Sequence, residues 1–285
     1  MFGYSKQAYY KHQQCKARQL SARHAALASV RHIRYALPRI GTRKLYHMLQ
    51  EDFDRYHLNI GRDKLFSILR AEGLLVPKKR RYTKTTNSKH WMRKYANLVK
   101  TTAVYRPEQV WVADITYIAT REGFQFLHLV TDAYSKKIMG YRLSTGMSAA
   151  DTADALEMAI KARTYPDQSL IHHSDRGLQY CSELYTSILR NNQIQISMTE
   201  QSDPYENAIA ERVNGILKEE FGLGDCFDDV HQLQAQLQQS IQLYNHLRPH
   251  LSNHMLTPEQ MHRQQKMPIK QYKKAQVKTV LPALT

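Results

Sequence analysis

The sequence predicts an α/β protein in which a mixed β-sheet is flanked by helices and preceded by a basic, all-α region. Three observations lead to that fold class. Charge is divided sharply, with 24 Lys+Arg against 5 Asp+Glu in residues 1–107 and 17 against 20 in residues 108–285. The first part is patterned for helices, with Leu45, Met48, Leu49 and Phe53 at helical spacing. From Val110 the pattern switches to three closely spaced β-rich runs, after which short apolar strands alternate with amphipathic helices.

The length of 285 residues allows one large or two modest domains, and 42% hydrophobic content is enough for a packed core. The formal net charge of +16 resides wholly in the first third, which reads as a polyanion-binding module joined to a nearly neutral domain. Cys15, Cys181 and Cys226 are scattered and form no CxxC pair, which argues against a zinc finger or disulfide framework and for a reducing, cytoplasmic setting. No apolar run approaches the roughly 20 residues a membrane span requires, so no membrane partner is expected.

In chain order, Ser5 caps a short helix carrying Lys6, Gln7, Tyr10 and Lys11, and a second helix, roughly Leu20 to Tyr35, ends at Pro38. IGTRKLYHMLQEDF then forms a helix. The turn HLNIG leads to RDKLFSILRAEG, with Leu65, Phe66, Ile68 and Leu69 inward and Gly73 at the C-terminal cap. Two helices across a glycine-containing turn suit a helix-turn-helix, whose second helix would present Arg62 and Lys64 to DNA. Residues 77–107 read as a basic linker in which Lys78, Lys79, Arg80 and Arg81 track phosphates and Tyr82 or Trp91 stacks on a base.

VWVADITYIAT, FQFLHLVTDAY and KKIMGYRLS form an antiparallel meander. Ser148 opens a helix to about Arg163, the strand SLIHH follows, Gly177 to Asn192 gives another helix, and IQISM precedes a helix carrying Glu211. The order β-β-β-α-β-α-β-α describes a ribonuclease H-like sheet. A Gln-rich helix, about Asp229 to Leu247, and Thr257-Pro258-Glu259-Gln260, which has the form of a capping box with Pro at the first helical position, complete the chain before a basic tail. The expected units are a helical DNA-binding region (1–76), the linker (77–107), a catalytic core (108–222) and a C-terminal helical extension with the tail (223–285).

Three carboxylates stand out. Asp114 shares a strand face with Thr116, and its neighbours Trp111, Val112, Ile115 and Ile118 make both faces apolar, so an unpaired carboxylate there is costly. Asp175 sits at the carboxyl end of a strand, where α/β sheets gather ligands, although Ser174 or Asp175 acting as a helix cap is the plainer alternative. Glu211 follows Asp175 by 35 intervening residues, on a helix whose buried stripe is Ala210, Val213, Leu217 and Phe221. Asn207, Asn214 and Lys218 share its other side, which places Lys218 to hold a substrate phosphate. Three converging carboxylates suit two divalent metal ions roughly 3.5–4 Å apart and phosphoryl transfer.

Taken together, ADIT(Y), HHSDRGLQY, DPYENAIAERVNGILKEE and YNHLRPH…TPEQ, with the opening FGYSKQAYYK and IGTRKLYHML…GRDKLFSILRAEGLL, make the chain resemble the OrfB-type transposases of the insertion sequence three family, relatives of retroviral integrases. That resemblance covers nearly the whole chain. It implies a DDE-type acidic triad at Asp114, Asp175 and Glu211 holding Mg²⁺, two ions for which Mn²⁺ can substitute. It also implies double-stranded DNA, both element ends and target, as substrate, a homo-oligomer on DNA, an upstream OrfA-type partner or fusion, and a bacterial, nucleoid-associated location. The family's usual Asp-Asn-Ala is Glu-Asn-Ala here, at Glu206. Glu206 should balance the helix dipole while Glu211 is the third ligand. Two rivals fit parts of the pattern: a non-catalytic DNA-binding regulator, and a ribonuclease H-type nuclease that cleaves without joining.

Overall fold

A computed structural model describes residues 5–77, 92–100, 102–200, 208–264 and 268. The expected helices at Ser5 and at Leu20 to Tyr35 are one continuous helix, α1 (Lys6–Ala36). The Ser5 hydroxyl caps it by accepting the Ala8 amide at 3.2 Å, and no glycine or proline interrupts the sequence until Pro38. Only its second half is buried, at Ala26, Leu27 and Val30.

IGTRKLYHMLQEDF forms two short helices, α2 (Thr42–Met48) and α3 (Gln50–Arg55), where one was expected. At the joint the Gln50 side chain donates to the Tyr46 carbonyl at 2.9 Å, a local bond that competes with the helical ladder. Leu45, Leu49 and Phe53 still point into one core, against Leu65, Ile68 and Leu69 of α4 (Arg62–Ala71). Phe66 is only partly covered. Gly73, at φ +66°, ends this unit in the left-handed conformation a glycine adopts without strain.

Among the described residues the sheet has five strands, β1 (Val110–Thr120), β2 (Gly123–Asp132), β3 (Ile138–Ser144), β4 (Ile171–Ser174) and β5 (Gln195–Met198), in the order β3-β2-β1-β4-β5. The first three form the antiparallel meander, while β4 and β5 run parallel to β1, as the ribonuclease H-like reading requires. Alternation along β1 feeds two cores. Trp111 and Ala113 pack with α5 (Ala149–Lys161) and α7 (Glu183–Asn191), whereas Val110 and Val112 pack with Ala210 of α8 (Ala208–Glu220). Helix α5 lies so close to β3 that a Cβ on Gly140 would stand 2.1 Å from the Ala155 carbonyl oxygen. The helix expected from Gly177 to Asn192 is split into α6 (Leu178–Cys181) and α7, because Ser182 is extended and spends its hydroxyl capping Tyr185 N.

Helix α9 (Val230–His246), capped by Asp229, buries Leu233, Leu237 and Ile241 against the face that α8 also covers. After a 3-10 turn (Leu251–Asn253), α10 (Pro258–His262) begins with the capping box, Thr257 and Gln260 exchanging both hydrogen bonds. The N-terminal helices meet the core through Lys44–Glu220 at 3.1 Å and Arg39–Asp225 at 3.3 Å. The segment expected as linker is already attached at residues 92–100, where Met92 and Tyr95 join the α5–α7 core and Leu98 N donates to Ser197 Oγ at 2.9 Å. Among the described residues no helix is long and apolar enough to cross a membrane.

Candidate active site

Four buried residues, Val110 to Ala113, bring β1 into the core, and Asp114 is the first polar side chain after them. Parallel pairing sets Val110, Trp111 and Val112 against Ile171, His172 and His173. Continued by two residues, that register puts Asp114 beside Asp175 on strands about 4.8 Å apart. Asp175 is not the N-cap residue of the following helix, which starts from Gly177 without a side-chain cap; Asp175 Oδ1 instead accepts Gly177 N at 2.9 Å in the turn before it. A Cβ at residue 177 would crowd this turn, standing 3.1 Å from Asp175 Oδ1 and 2.9 Å from Gln179 Oε1, so either side chain would have to shift.

The two histidines before Asp175 anchor its strand. His172 Nε2 meets the Tyr185 hydroxyl at 2.9 Å, and His173 Nδ1 meets Ser197 Oγ at 2.9 Å. Burial, aided by His173, pushes His172 down to about 3, so it is an uncharged spacer. Sequence reading gave neither histidine a role.

Helix α8 approaches from the other side of β1. Its expected apolar stripe is buried, and Asn214, also buried, donates to Asp114 Oδ2 at 2.8 Å. Glu211 lies three residues earlier on that face, in the first turn of the described helix, with its side chain exposed. Lys218, four residues after Asn214, holds its ammonium 4.5 Å from the centroid of the Tyr117 ring. Burial lowers its pKa against the opposing pull of Asp114.

Electrostatics distinguish this cluster from an ordinary polar patch. Burial and the neighbouring Asp175 push Asp114 up to about 7; hydrogen bonds from Asn214 and Ile115 N hold it down, and Glu211 pushes it up further. Asp175 and Glu211 are therefore both within charge range of Asp114. Asp114 and Asp175 form the inner pair; among the described residues no three His, Cys, Asp or Glu side chains are grouped closely enough to hold an ion as they stand. Asn214 Oδ1 is buried without a donor among the described residues, which leaves one more oxygen beside Asp114.

Two integrase core domain family models match the chain, over residues 104–204 and 192–258. The Insertion element IS600 uncharacterized 31 kDa protein of Shigella sonnei is 34% identical over 88% of this chain and 92% of its own length. Transposase InsF for insertion sequence IS3A of Escherichia coli strain K12 is 34% identical over 67% of each chain. The chain belongs to the transposase family of insertion sequence three. As a member it is a DNA transposase, a polynucleotidyl transferase of the DDE type. A structural neighbour is the HTLV-2 integrase catalytic core domain in complex with magnesium, 21% identical over 55% of this chain and 97% of that chain, with a TM-score of 0.45.

Of the DNA contacts expected in this transposase, Arg62 and Lys64 are exposed on α4, where Arg62 Nε pairs with Asp63 Oδ1 at 3.0 Å. Lys64, Lys16 and Arg23 line a cavity of about 410 Å³ between α1 and α4. Lys78, Lys79, Arg80 and Arg81 lie outside the described residues, as do Tyr82, Trp91, Glu206 and Asn207. Asn214 was legible only as a member of the polar side of α8; its spacing of three from Glu211 was the signal for its place beside Asp114.

Proposed function

We propose that this transposase cuts the ends of its element and joins them to DNA through Asp114, Asp175 and Glu211, acting as ligands of two Mg²⁺ ions for which Mn²⁺ can substitute. The observation that carries this reading is the charge on Asp114 left uncompensated inside the fold: a carboxyl on a buried strand beside Asp175, pushed up to about 7 by burial first and by Asp175 and Glu211 after it, is a site that cations would complete. The donor set fits, being oxygen throughout, with Asn214 Oδ1 as a further acceptor for a hydration shell. Bound there, the ions would polarise the phosphoryl oxygens and acidify water.

The chain's own residues do the rest. β1 and β4 fix Asp114 and Asp175 on rigid strands, Asn214 orients Asp114, and Glu211 closes the set by rotating its exposed side chain toward the pair. Lys218, beyond Glu211 on α8, contacts a substrate phosphate. Residues 1–76, with Arg62 and Lys64, and the linker 77–107, with Lys78, Lys79, Arg80 and Arg81, supply most of the DNA affinity; residues 108–222 are the catalytic core and 223–285 its extension. The working assembly is a homo-oligomer on double-stranded DNA with an OrfA-type partner or fusion upstream, in the bacterial nucleoid.

Mg²⁺-dependent strand transfer of a labelled element end tests this. Glu211→Gln should abolish both cleavage and joining with folding preserved, whereas Glu206→Gln should retain activity; the reverse result would move the third ligand to Glu206. Cleavage without joining by the unaltered protein would favour the nuclease reading.

A further inference from the structure

The side of α8 turned away from Asp114 carries a second charged site. Residues of α8, the corner after α9, α2 and the β2–β3 turn enclose a cavity of about 320 Å³. Lys44, Lys136, Arg212, Arg248 and His250 line it. Glu220 answers two of these cations, Lys44 at 3.1 Å and Arg248 at 2.6 Å. Among the described residues the Lys136 ammonium donates to the backbone carbonyls of Ala133 and Tyr134, with Asp132 within charge range, and Arg212 is exposed with no acidic partner. Among the described residues four cations thus line the cavity, with Glu220 paired to two of them and Asp132 within charge range of Lys136.

His250 provides an independent indication of a ligand. The residue is 7% exposed and lines the cavity, its ring lies edge-on to Tyr244 with centroids 5.2 Å apart, and its buried Nε2 has no hydrogen-bond partner among the described residues. An orphaned buried imidazole nitrogen costs free energy unless something outside the protein meets it. Burial first, then Arg248, Lys44, Lys136 and Arg212, which line the same cavity, hold His250 uncharged. Burial and the nearby Arg248 likewise bring Lys44 down to about 8, the state a bound anion would reverse.

Shape narrows the ligand. Ile209, Val213, Ile216 and Leu251 make part of the wall apolar, and the volume exceeds what a lone phosphate fills. We propose that this cavity binds a sugar-phosphate of DNA, with Lys136, Arg212 and the His250 Nε2–H on the phosphate oxygens and the α8 side chains against the sugar. The inference rests on the family reading for its choice of DNA, and it adds a DNA contact on the opposite face of α8 from the carboxylates.

The test uses the full chain in EDTA, so that metal-dependent chemistry does not enter. Lys136→Asn suits φ +66° better than alanine would, and Arg212→Gln preserves helix propensity. In the double variant, affinity for a fluorescent duplex should fall about tenfold, with the slope of log K against log salt shallower by about two. The His250 side-chain ¹⁵N resonance should shift when duplex is added to the unaltered protein and stay still in the variant. Lys136→Arg with Arg212→Lys should restore binding, which separates lost contacts from lost fold. Unchanged affinity and salt slope would overturn the proposal. So would a His250 resonance that moves with inorganic phosphate and not with duplex. Failure of the Glu211→Gln prediction would leave these binding results standing, so the two readings fail separately.

Discussion

β1 has a carboxylate cluster at each end of its buried stretch, and the two are treated in opposite ways. Just before the strand, Glu108 is fully buried, yet it accepts from Thr164 N at 2.6 Å and Tyr165 N at 3.2 Å and pairs with Arg163 at 3.1 Å and His262 at 3.2 Å. Asp132, equally buried, accepts from Ser135 Oγ at 2.6 Å and Glu108 N at 2.8 Å. Burial alone would raise the Glu108 pKa, but these partners outweigh it and lower it. Within the strand, Asp114 has one amide donor from a side chain and two like charges nearby, and its pKa goes up. Compensated carboxylates hold a fold together; uncompensated ones mark where the fold has been left dependent on cations.

The sharpest way to break that contrast is to remove the charge at both ends. Asp114→Asn and Asp175→Asn should abolish strand transfer, since each removes a proposed ligand. Without metal their melting temperatures should equal or exceed that of the unaltered protein, because a repelling charge has gone and Asn214 can still bond residue 114. Glu108→Gln should do the reverse, costing about 3–5 kcal/mol by leaving Arg163 and His262 without their buried partner. Thermal melts in EDTA beside activity assays decide it: if Asp114→Asn were the less stable protein, the repulsion would not be what distinguishes the site.

A smaller effect is expected from the neighbour that orients the uncompensated end. Asn214→Ala should lower strand transfer about 10- to 100-fold, the range typical of groups that position metal ligands, with a matching loss of apparent Mg²⁺ affinity. Full activity in this variant would mean that β1 alone fixes Asp114.

The two ends were not equally legible in the sequence. Asp114 announced itself locally, an acid inside VWVADITYIAT with apolar residues on both faces, and Asp175 and Glu211 lay in equally local patterns. Glu108 and His262 are 154 residues apart, so nothing in the periodicity near either one foretold the bond between them. Element type followed from pattern throughout the sheet, where period-two alternation and turn residues are near-neighbour properties. Helix ends were less readable. The break at Leu49 depends on a Gln50 side chain taking a carbonyl, the break at Ser182 on a hydroxyl choosing to cap, and the fusion of α1 on the absence of any breaker over 31 residues. Glycine 177 read as a turn; that a side chain there would crowd Asp175 Oδ1 is a tertiary fact.

The compensated end also sets a pH signature, the smallest of the expected effects. Burial disfavours charge on His262, but the Asp132 carboxylate 3.7 Å from its Nδ1 and its hydrogen bond to Glu108 prevail and raise its pKa, against a weaker opposing push from Lys137. A raised histidine pKa stabilises the fold fully below its ordinary value of 6.5, and that contribution disappears as pH rises through the raised folded value. Glu108, lowered from 4.5, contributes fully above that value and is lost as pH falls through its folded one. Both contribute in full between about pH 4.5 and 6.5, but His172 and His250, held uncharged by burial, cost stability as pH falls below 6.5, so the melting temperature should peak near pH 6.5 and decline on either side. Asp114 would tilt the same interval, so the melts belong in the Asp114→Asn background, where residue 114 does not titrate. There His262→Gln should flatten the decline above pH 6.5 while leaving in place the acid limb, which His172, His250 and Glu108 share. An alkaline decline that survived in His262→Gln would assign the pH dependence to another group and leave His262 as a neutral hydrogen-bonding partner of Glu108.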